Sequence, residues 1–160
     1  MKANKAITVI LIILVLGIIV YLFSRFFMGN FLLNKNPTVT INSHQFKLLI
    51  TKTTLDKQIG LSKYKSLPQD QGMLFSFGKA DYYLFWMKEM KFPIDIIYIK
   101  NDKIVSIFQN VQPPKSPNTT NIPVYRPTDS SDTVLEINAG LSKKYNIKNG
   151  DSVKYENFSG

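Results

Sequence analysis

An apolar run near the N-terminus is the feature that most constrains this 160-residue chain. Residues Ala6 to Phe23 are interrupted only by one Thr and one Gly. About 18 apolar residues suffice for a helix that crosses a bilayer, whereas a cleaved signal peptide has a shorter apolar segment, of roughly 7–15 residues, before a small-x-small site. No such site follows the run. The sequence therefore predicts an uncleaved signal anchor over residues 1–28, with residues 6–28 in the membrane.

The charges that flank the run predict its orientation. Lys2 and Lys5 precede it without any acidic residue, and basic residues favour the cytoplasmic side of a membrane. Because the leader before the run is so short, we expect everything after it to be exported. The chain is then a single-pass membrane protein with its N-terminus in the cytoplasm and its C-terminal domain outside.

The composition excludes several kinds of chemistry. The chain has no Cys and a single His, His44, so disulfides, thiolate catalysis, Cys-ligated metals and multi-His metal sites are excluded. It also lacks a Gly-rich phosphate loop, an HExxH motif and a nucleophile elbow. We therefore expect no cofactor and no metal, and the motifs do not point to an enzyme.

The positive charge of the chain does not predict a nucleic-acid partner. The formal net charge is +9, but the basic residues are dispersed along the sequence and almost all are Lys. Proteins that read nucleic acids rely strongly on Arg for bidentate contacts to bases and phosphates. The charge is typical of a solvated, Lys-rich surface, and we expect no nucleic-acid binding.

After the anchor, a polar linker over residues 29–38 is predicted to lead into one domain over residues 39–156, followed by a tail at 157–160. Short strands separated by turns are typical of an antiparallel sheet that closes or folds on itself. We therefore predict a mainly β domain with short helices, resembling a compact barrel or sandwich. The predicted strands are Val39–Ile41, Phe46–Ile50, Met73–Phe77, Tyr82–Lys88, Ile94–Lys100, Lys103–Val111, Thr133–Asn138 and Ser152–Tyr155. The predicted helices are a short one that begins after Thr53 and ends at Gly60, and a turn at Leu141–Tyr145. Thr53 and Asp56 approximate a capping box at the start of the first helix, and Asn101-Asp102 is predicted to be a two-residue turn that leads into Lys103–Val111.

Several motifs of this domain resemble the DUF192 family, and they occur in the family's order. They are Gly60-Leu61, Gly72 to Phe75, Phe85 to Lys88, Pro93 to Ile96, Val134 to Glu136, Ala139-Gly140 and Gly150 to Val153. The resemblance covers roughly residues 39–156. It implies a compact, mainly β and often exported domain, without an established activity. Two positions depart from the family pattern: Lys57 stands where an Arg is usual, and Glu89-Met90 stands where Asn-Thr is usual.

Trp86 and Lys88 lie on the same face of the predicted strand Tyr82–Lys88, because successive side chains of a strand alternate between its two faces. Both faces of this segment are apolar, which is expected of a strand buried between two layers. The interpretation we favour is that Trp86 fills the core and Lys88 emerges at the strand end. The functional alternative is a stacking platform for a sugar ring or an aromatic ligand, with Lys88 beside it as a donor.

Asp95 shares a face of its predicted strand with Ile97 and Ile99, and Glu136 shares a face of its strand with Val134, so each carboxylate should lie near an apolar layer. A buried carboxylate needs hydrogen bonds or a cation, and Lys57 and Lys88 are candidate partners for Asp95. Structural pairing is the interpretation we favour. The functional alternative is that the two carboxylates converge, as weak candidates for general acid–base catalysis or for binding a hard cation.

A long Pro-rich segment over residues 112–131 is the remaining candidate for function, since loops of this length are often functional. In the functional interpretation, Tyr125 and Arg126 form a clamp over a pocket. In the structural alternative, the segment is only a restrained crossover on the surface.

Three functional hypotheses follow. The first is an extracytoplasmic module that binds a small ligand or an envelope polymer through Trp86, Lys88, Asp95 and Tyr125. The second is a hydrolase or lyase that uses Asp95 and Glu136. The third is a structural or assembly protein that binds a membrane or envelope partner through the Pro-rich segment.

Overall fold

A computed structural model of the chain describes residues 2–33, 36–116 and 121–158. The chain divides into two compact units, Met1–Lys35 and Asn36–Gly160. Each unit is described by itself.

The first unit is one helix, α1, over Lys2–Leu33. Within it, Ile7–Phe27 is 21 residues long with a mean hydropathy of 3.0, and none of that span is buried. At 1.5 Å per residue this span is about 31 Å long, close to the thickness of the hydrocarbon core. The helix is therefore long and apolar enough to cross a membrane. It continues to Leu33, so part of the predicted linker is helical.

The described residues of the second unit form nine strands and two short helices. The elements are β1 Thr38–Ile41, β2 His44–Ile50, α2 Thr54–Ile59, a 3₁₀ turn Gly60–Lys63, β3 Gln71–Asp81, β4 Phe85–Trp86, β5 Ile94–Lys100, β6 Lys103–Val111, β7 Val124–Tyr125, β8 Ser131–Asn138, α3 Leu141–Lys144 and β9 Val153–Glu156. The prediction of a mainly β domain with short helices is confirmed.

Seven of the strands form one sheet in the order β6-β5-β8-β3-β2-β1-β9. The sheet curls into a half-barrel. Its neighbouring strands are antiparallel except for β2 and β3, which are parallel. Antiparallel neighbours can be joined by a tight turn, but parallel ones need a crossover. Here α2 and the 3₁₀ turn supply that crossover, which the predicted antiparallel sheet did not include.

The two edge strands of the half-barrel, β6 and β9, come together near their first residues. Lys103 and Ser152 form an antiparallel bridge. Beside it, the Ile104 amide donates to the Asp151 carbonyl at 3.0 Å, and the Val153 amide donates to the Asp102 carbonyl at 2.9 Å. One end of the curled sheet is therefore closed by backbone hydrogen bonds.

Local sequence signals fix the short elements. The Thr53 hydroxyl accepts from the Asp56 amide, and the Asp56 carboxylate accepts from the Thr53 amide, so a capping box begins α2 as predicted. Asn101 and Asp102 both have positive φ between β5 and β6, which is the geometry of a tight hairpin turn.

Two hydrophobic clusters occupy the two faces of the sheet, because successive side chains of a strand point to opposite sides. On β5, Ile97 and Ile99 belong to one cluster, whereas Ile96 and Tyr98 belong to the other. The first cluster, the inner cluster, contains Val39, Ile41, Phe46, Leu48, Leu74, Ile97, Ile99, Ile104, Leu135, Ile137, Leu141, Ile147 and Val153. The second, the outer cluster, contains Leu61, Leu67, Met73, Phe75, Met87, Ile94, Ile96, Tyr98, Val111 and Val134.

The predicted buried strand Tyr82–Lys88 is wrong. Only Phe85–Trp86 is a strand, and it pairs with β7 in a separate two-stranded sheet. The preceding strand β3 instead extends to Asp81. Because β4 lies outside the main sheet, only one of its faces is covered, and the other is open to solvent.

Candidate functional site

The candidate site is a cleft of about 470 Å³ between α2, the end of β3 and the segment that contains β4. Its lining combines aromatic side chains, two lysines and one carboxyl group. The lining residues are Thr54, Lys57, Gln58, Ile59, Gly60, Leu61, Phe75, Phe77, Tyr83, Leu84, Phe85, Trp86, Lys88, Met90 and Glu136.

Stacked aromatic rings form one wall of this cleft. Phe77 and Tyr83 are stacked with their ring centroids 3.6 Å apart. Phe85 meets Phe75 edge to face, with centroids 4.9 Å apart. Such contacts restrain the rings, so the wall is preformed.

Trp86 stands at the cleft with 54% of its surface exposed. The interpretation of Trp86 as a core residue is wrong, because β4 pairs only with β7 and leaves one face of the indole uncovered. The Lys88 ammonium lies 5.6 Å from the centre of the Trp86 ring, within the range of a cation–π interaction. The cleft therefore brings Trp86 and Lys88 together.

Lys57 is the second cation of the cleft. Its ammonium donates to the Ser76 carbonyl and lies 4.7 Å from the centre of the Phe77 ring. The sequence offered Lys57 only as a partner for Asp95. Lys57 lies on α2, one turn before Gly60. Its position in the cleft depends on how α2 packs against the sheet, which the sequence pattern does not show.

Glu136 is the one carboxyl group that lines the cleft among the described residues. It is 5% exposed, and its Oε2 has no hydrogen-bond partner in the part of the chain that the structure describes. Its cross-strand neighbours are Met73 on β3 and Ile96 on β5. Removal from water disfavours the charged form, and burial raises the pKa of Glu136 to about 8.

Asp95 lies on the other face of the sheet and is fully buried. Its carboxylate accepts four hydrogen bonds. The donors are the Asn110 amide at 2.7 Å, the Gly140 amide at 3.0 Å, the Ser142 amide at 2.9 Å and the Ser142 hydroxyl at 2.6 Å. The predicted lysine partner is therefore wrong, since backbone amides and one hydroxyl take that place.

The strand register separates the two carboxylates. Asp95 is opposite Ile137, and Glu136 is opposite Ile96, so the two side chains point to opposite faces of the sheet. The structure does not bring Asp95 and Glu136 into one pocket.

A family model decides the relationship of this chain to known proteins. The model for DUF192, described as "Uncharacterized ACR", matches residues 37–155. The chain belongs to the DUF192 family. No curated protein matches it significantly.

Two solved structures resemble this DUF192 domain. One is a protein of unknown function from Novosphingobium aromaticivorans, with 30% sequence identity and a TM-score of 0.64 over 74% of this chain and 82% of that one. The other is a Sinorhizobium meliloti protein named as a proposed transcription regulator, with 26% identity and a TM-score of 0.63 over 74% of this chain and 91% of that one.

Two groups of residues from the DUF192 motifs lie in different parts of the structure. Gly60-Leu61, Phe85 to Lys88 and Glu136 contribute residues to the cleft. By contrast, Asp95 and Gly140 meet on the other face of the sheet. One group thus surrounds an open site, and the other holds a buried carboxylate.

Tyr125 and Arg126 lie beside the cleft segment and are not among its described lining residues. The Tyr125 carbonyl accepts from the Tyr98 hydroxyl at 2.8 Å, and Arg126 lies 4.8 Å from the centre of the Tyr82 ring. Residues 117–120 of the same Pro-rich segment are outside the described residues. Tyr125 supports β4 from behind through the pairing of Phe85 with Tyr125.

In the described parts of the chain, no three His, Asp or Glu side chains stand close enough to hold a metal ion. What the cleft offers chemically is an aromatic stacking surface, two ammonium groups and one buried carboxyl group whose pKa is raised.

Proposed function

We propose that this DUF192 protein is a membrane-tethered module that binds an envelope glycan, or a small ligand of similar chemistry, in the cleft. The observation that carries the proposal is the half-exposed Trp86 at the cleft, with the Lys88 ammonium beside its ring. An exposed indole next to a preformed aromatic wall is a surface on which a sugar or aromatic ring stacks. Binding sites of small ligands combine such apolar walls with a few polar groups.

The membrane tether is the second part of the proposal. The span Ile7–Phe27 would cross the bilayer, and Lys2 and Lys5 would keep the N-terminus in the cytoplasm. The cleft would then face the envelope, where glycans are available as ligands.

The two alternative functions differ in what supports them. A hydrolase or lyase built on Asp95 and Glu136 loses its basis, because the two side chains occupy opposite faces of the sheet. Assembly through the Pro-rich segment stays a prediction. We also keep the expectation that the chain binds no nucleic acid.

The single Trp of the chain makes a direct test possible, since its fluorescence reports on Trp86 alone. The full chain in detergent micelles without sugar headgroups would be titrated with the trisaccharide of N-acetylglucosamine. We expect a saturable change in emission and roughly two- to fivefold weaker binding for Lys88→Ala, the size of a lost exposed cation contact. Lys143→Ala, which changes an exposed lysine on α3, is the matched control and should bind like the wild type.

The proposal would be contradicted if the trisaccharide changed neither the emission of Trp86 nor the thermal midpoint of the full chain. Equal weakening by Lys88→Ala and Lys143→Ala would also contradict it, because a general charge effect would then explain the binding.

A further inference from the structure

The floor of the cleft contains a polar atom that the protein itself leaves unused. The Oε2 atom of Glu136 is buried and has no hydrogen-bond partner among the described residues. Buried polar groups in native structures are nearly always paired, so an exception calls for an explanation. The position of Glu136 in the cleft lining indicates that a ligand can provide the missing partner.

The groups that face Glu136 do not neutralise it. Met73 and Ile96, opposite it on the two neighbouring strands, are apolar. On β5, the Tyr98 hydroxyl already donates to the Tyr125 carbonyl. Among the residues that the structure describes, none forms an ion pair with Glu136, and desolvation raises its pKa.

The two ammonium groups of the cleft are engaged elsewhere. The Lys57 ammonium donates to the Ser76 carbonyl, and the Lys88 ammonium lies over the Trp86 ring. Neither forms an ion pair with Glu136 in the described structure. Burial therefore favours the carboxylic acid form of Glu136, whose hydroxyl is a hydrogen-bond donor.

We infer that protonated Glu136 donates a hydrogen bond to an acceptor oxygen of the ligand, and that the cleft thereby selects N-acetylated sugars over free amino sugars. This inference rests on the proposed function. It adds the chemical class of the ligand and the residue that reads it.

Two features of the cleft favour an acetamido group over an amine. A carbonyl oxygen accepts from the Glu136 hydroxyl, whereas an ammonium group offers only donors. Lys57 and Lys88 also repel a cationic ligand, and like charges brought together at a binding site reduce affinity. The sugar ring would stack on Trp86 while its acetamido carbonyl reaches the floor.

The experiment compares two trisaccharides that differ only in the acetyl groups, N-acetylglucosamine and glucosamine trimers. Binding to the full chain in detergent micelles without sugar headgroups is followed by Trp86 fluorescence at about pH 6, where amino sugars are charged. We expect the acetylated trimer to bind at least about tenfold more tightly, as for a site whose buried donor would otherwise stay unpaired.

A pH series with the acetylated trimer tests the proton. Above about pH 8, wild-type affinity should fall by up to tenfold per pH unit, because the donor is lost as Glu136 ionises. Glu136→Gln keeps a donor on the side chain and should bind without this fall. The matched control is Glu156→Gln, an exposed residue of β9, which should behave like the wild type.

The possible failures are distinguishable. If both trimers bind equally, or if the wild-type affinity does not change with pH, Trp86 is a binding platform but the role of Glu136 is wrong. Tighter binding of the glucosamine trimer would overturn the inference as well, since it would show a charged carboxylate. If neither trimer affects Trp86, the proposed function fails together with the inference.

Discussion

Asp95 and Glu136 are buried carboxyl groups on neighbouring strands, yet their surroundings differ completely. Asp95 accepts four hydrogen bonds on one face of the sheet, whereas Glu136 on the other face leaves Oε2 without a partner among the described residues. Burial alone does not distinguish a structural group from a ligand-binding one. The difference lies in whether the fold already satisfies the group.

The largest difference should appear when each group is changed to its amide. Asp95→Asn replaces one accepting oxygen with an NH₂ group that faces N–H donors, and we expect a loss of roughly 3–5 kcal/mol in the free energy of unfolding. Urea denaturation of the full chain in detergent micelles, followed by near-UV circular dichroism, measures it. Asp70→Asn, at an exposed ion pair with Lys47, is the control and should leave the midpoint nearly unchanged. A loss as small as that of the control would show that the four donors find other partners.

The second prediction uses pH to separate the two faces. Because the pKa of Glu136 is about 8 when folded and near its ordinary, lower value when unfolded, the folded state binds more protons. The stability that this proton gives is complete below about pH 4.5 and declines as pH rises to 8, by up to about 1.4 kcal/mol per pH unit.

Glu136→Gln should remove this decline and be more stable than the wild type near pH 8. Urea midpoints of both proteins between about pH 5 and 8 measure the effect, with Glu156→Gln as the matched control. Parallel pH profiles for the wild type and Glu136→Gln would mean that Glu136 does not carry the linkage.

The prediction with the smallest expected effect concerns one hydrogen bond to the Asp95 carboxylate. Ser142→Ala deletes the hydroxyl that donates to Asp95 at 2.6 Å. It keeps the hydrogen bond from the backbone N–H of residue 142 to the same carboxylate oxygen. We expect a loss of about 1–2 kcal/mol, measured by the same urea denaturation. Ser66→Ala, at an exposed position, is the control. A loss equal to that of Asp95→Asn would show that the hydroxyl alone holds the carboxylate.

Much of the fold could be predicted because its signals are local. The capping box of Thr53 and Asp56 and the turn at Asn101-Asp102 depend on a few adjacent residues, and both formed as predicted. The parallel pairing of β2 with β3 depends on how a crossover packs, which local signals do not encode.

The candidate site was harder to predict because it depends on the pairing of distant segments. The alternation of side chains predicts that Asp95 and Ile97 share a face of β5. Whether Glu136 lies on the same face as Asp95 depends on the register between β5 and β8, because a slip by one residue would move Glu136 to the other face. The exposure of Trp86 depends in the same way on the pairing of β4 with β7. The apolar pattern of a segment does not reveal whether a second layer of the fold covers it.

The closed end of the curled sheet has a consequence for the chain's behaviour among its own copies. Edge strands offer unpaired backbone groups that can join a neighbouring molecule edge to edge and begin aggregation. At one end of the sheet Lys103, the first residue of β6, bridges Ser152, the residue before β9, so the two edges partly pair with each other. If α1 concentrates many copies in one membrane plane, this bridge leaves less of each edge open to a neighbouring sheet.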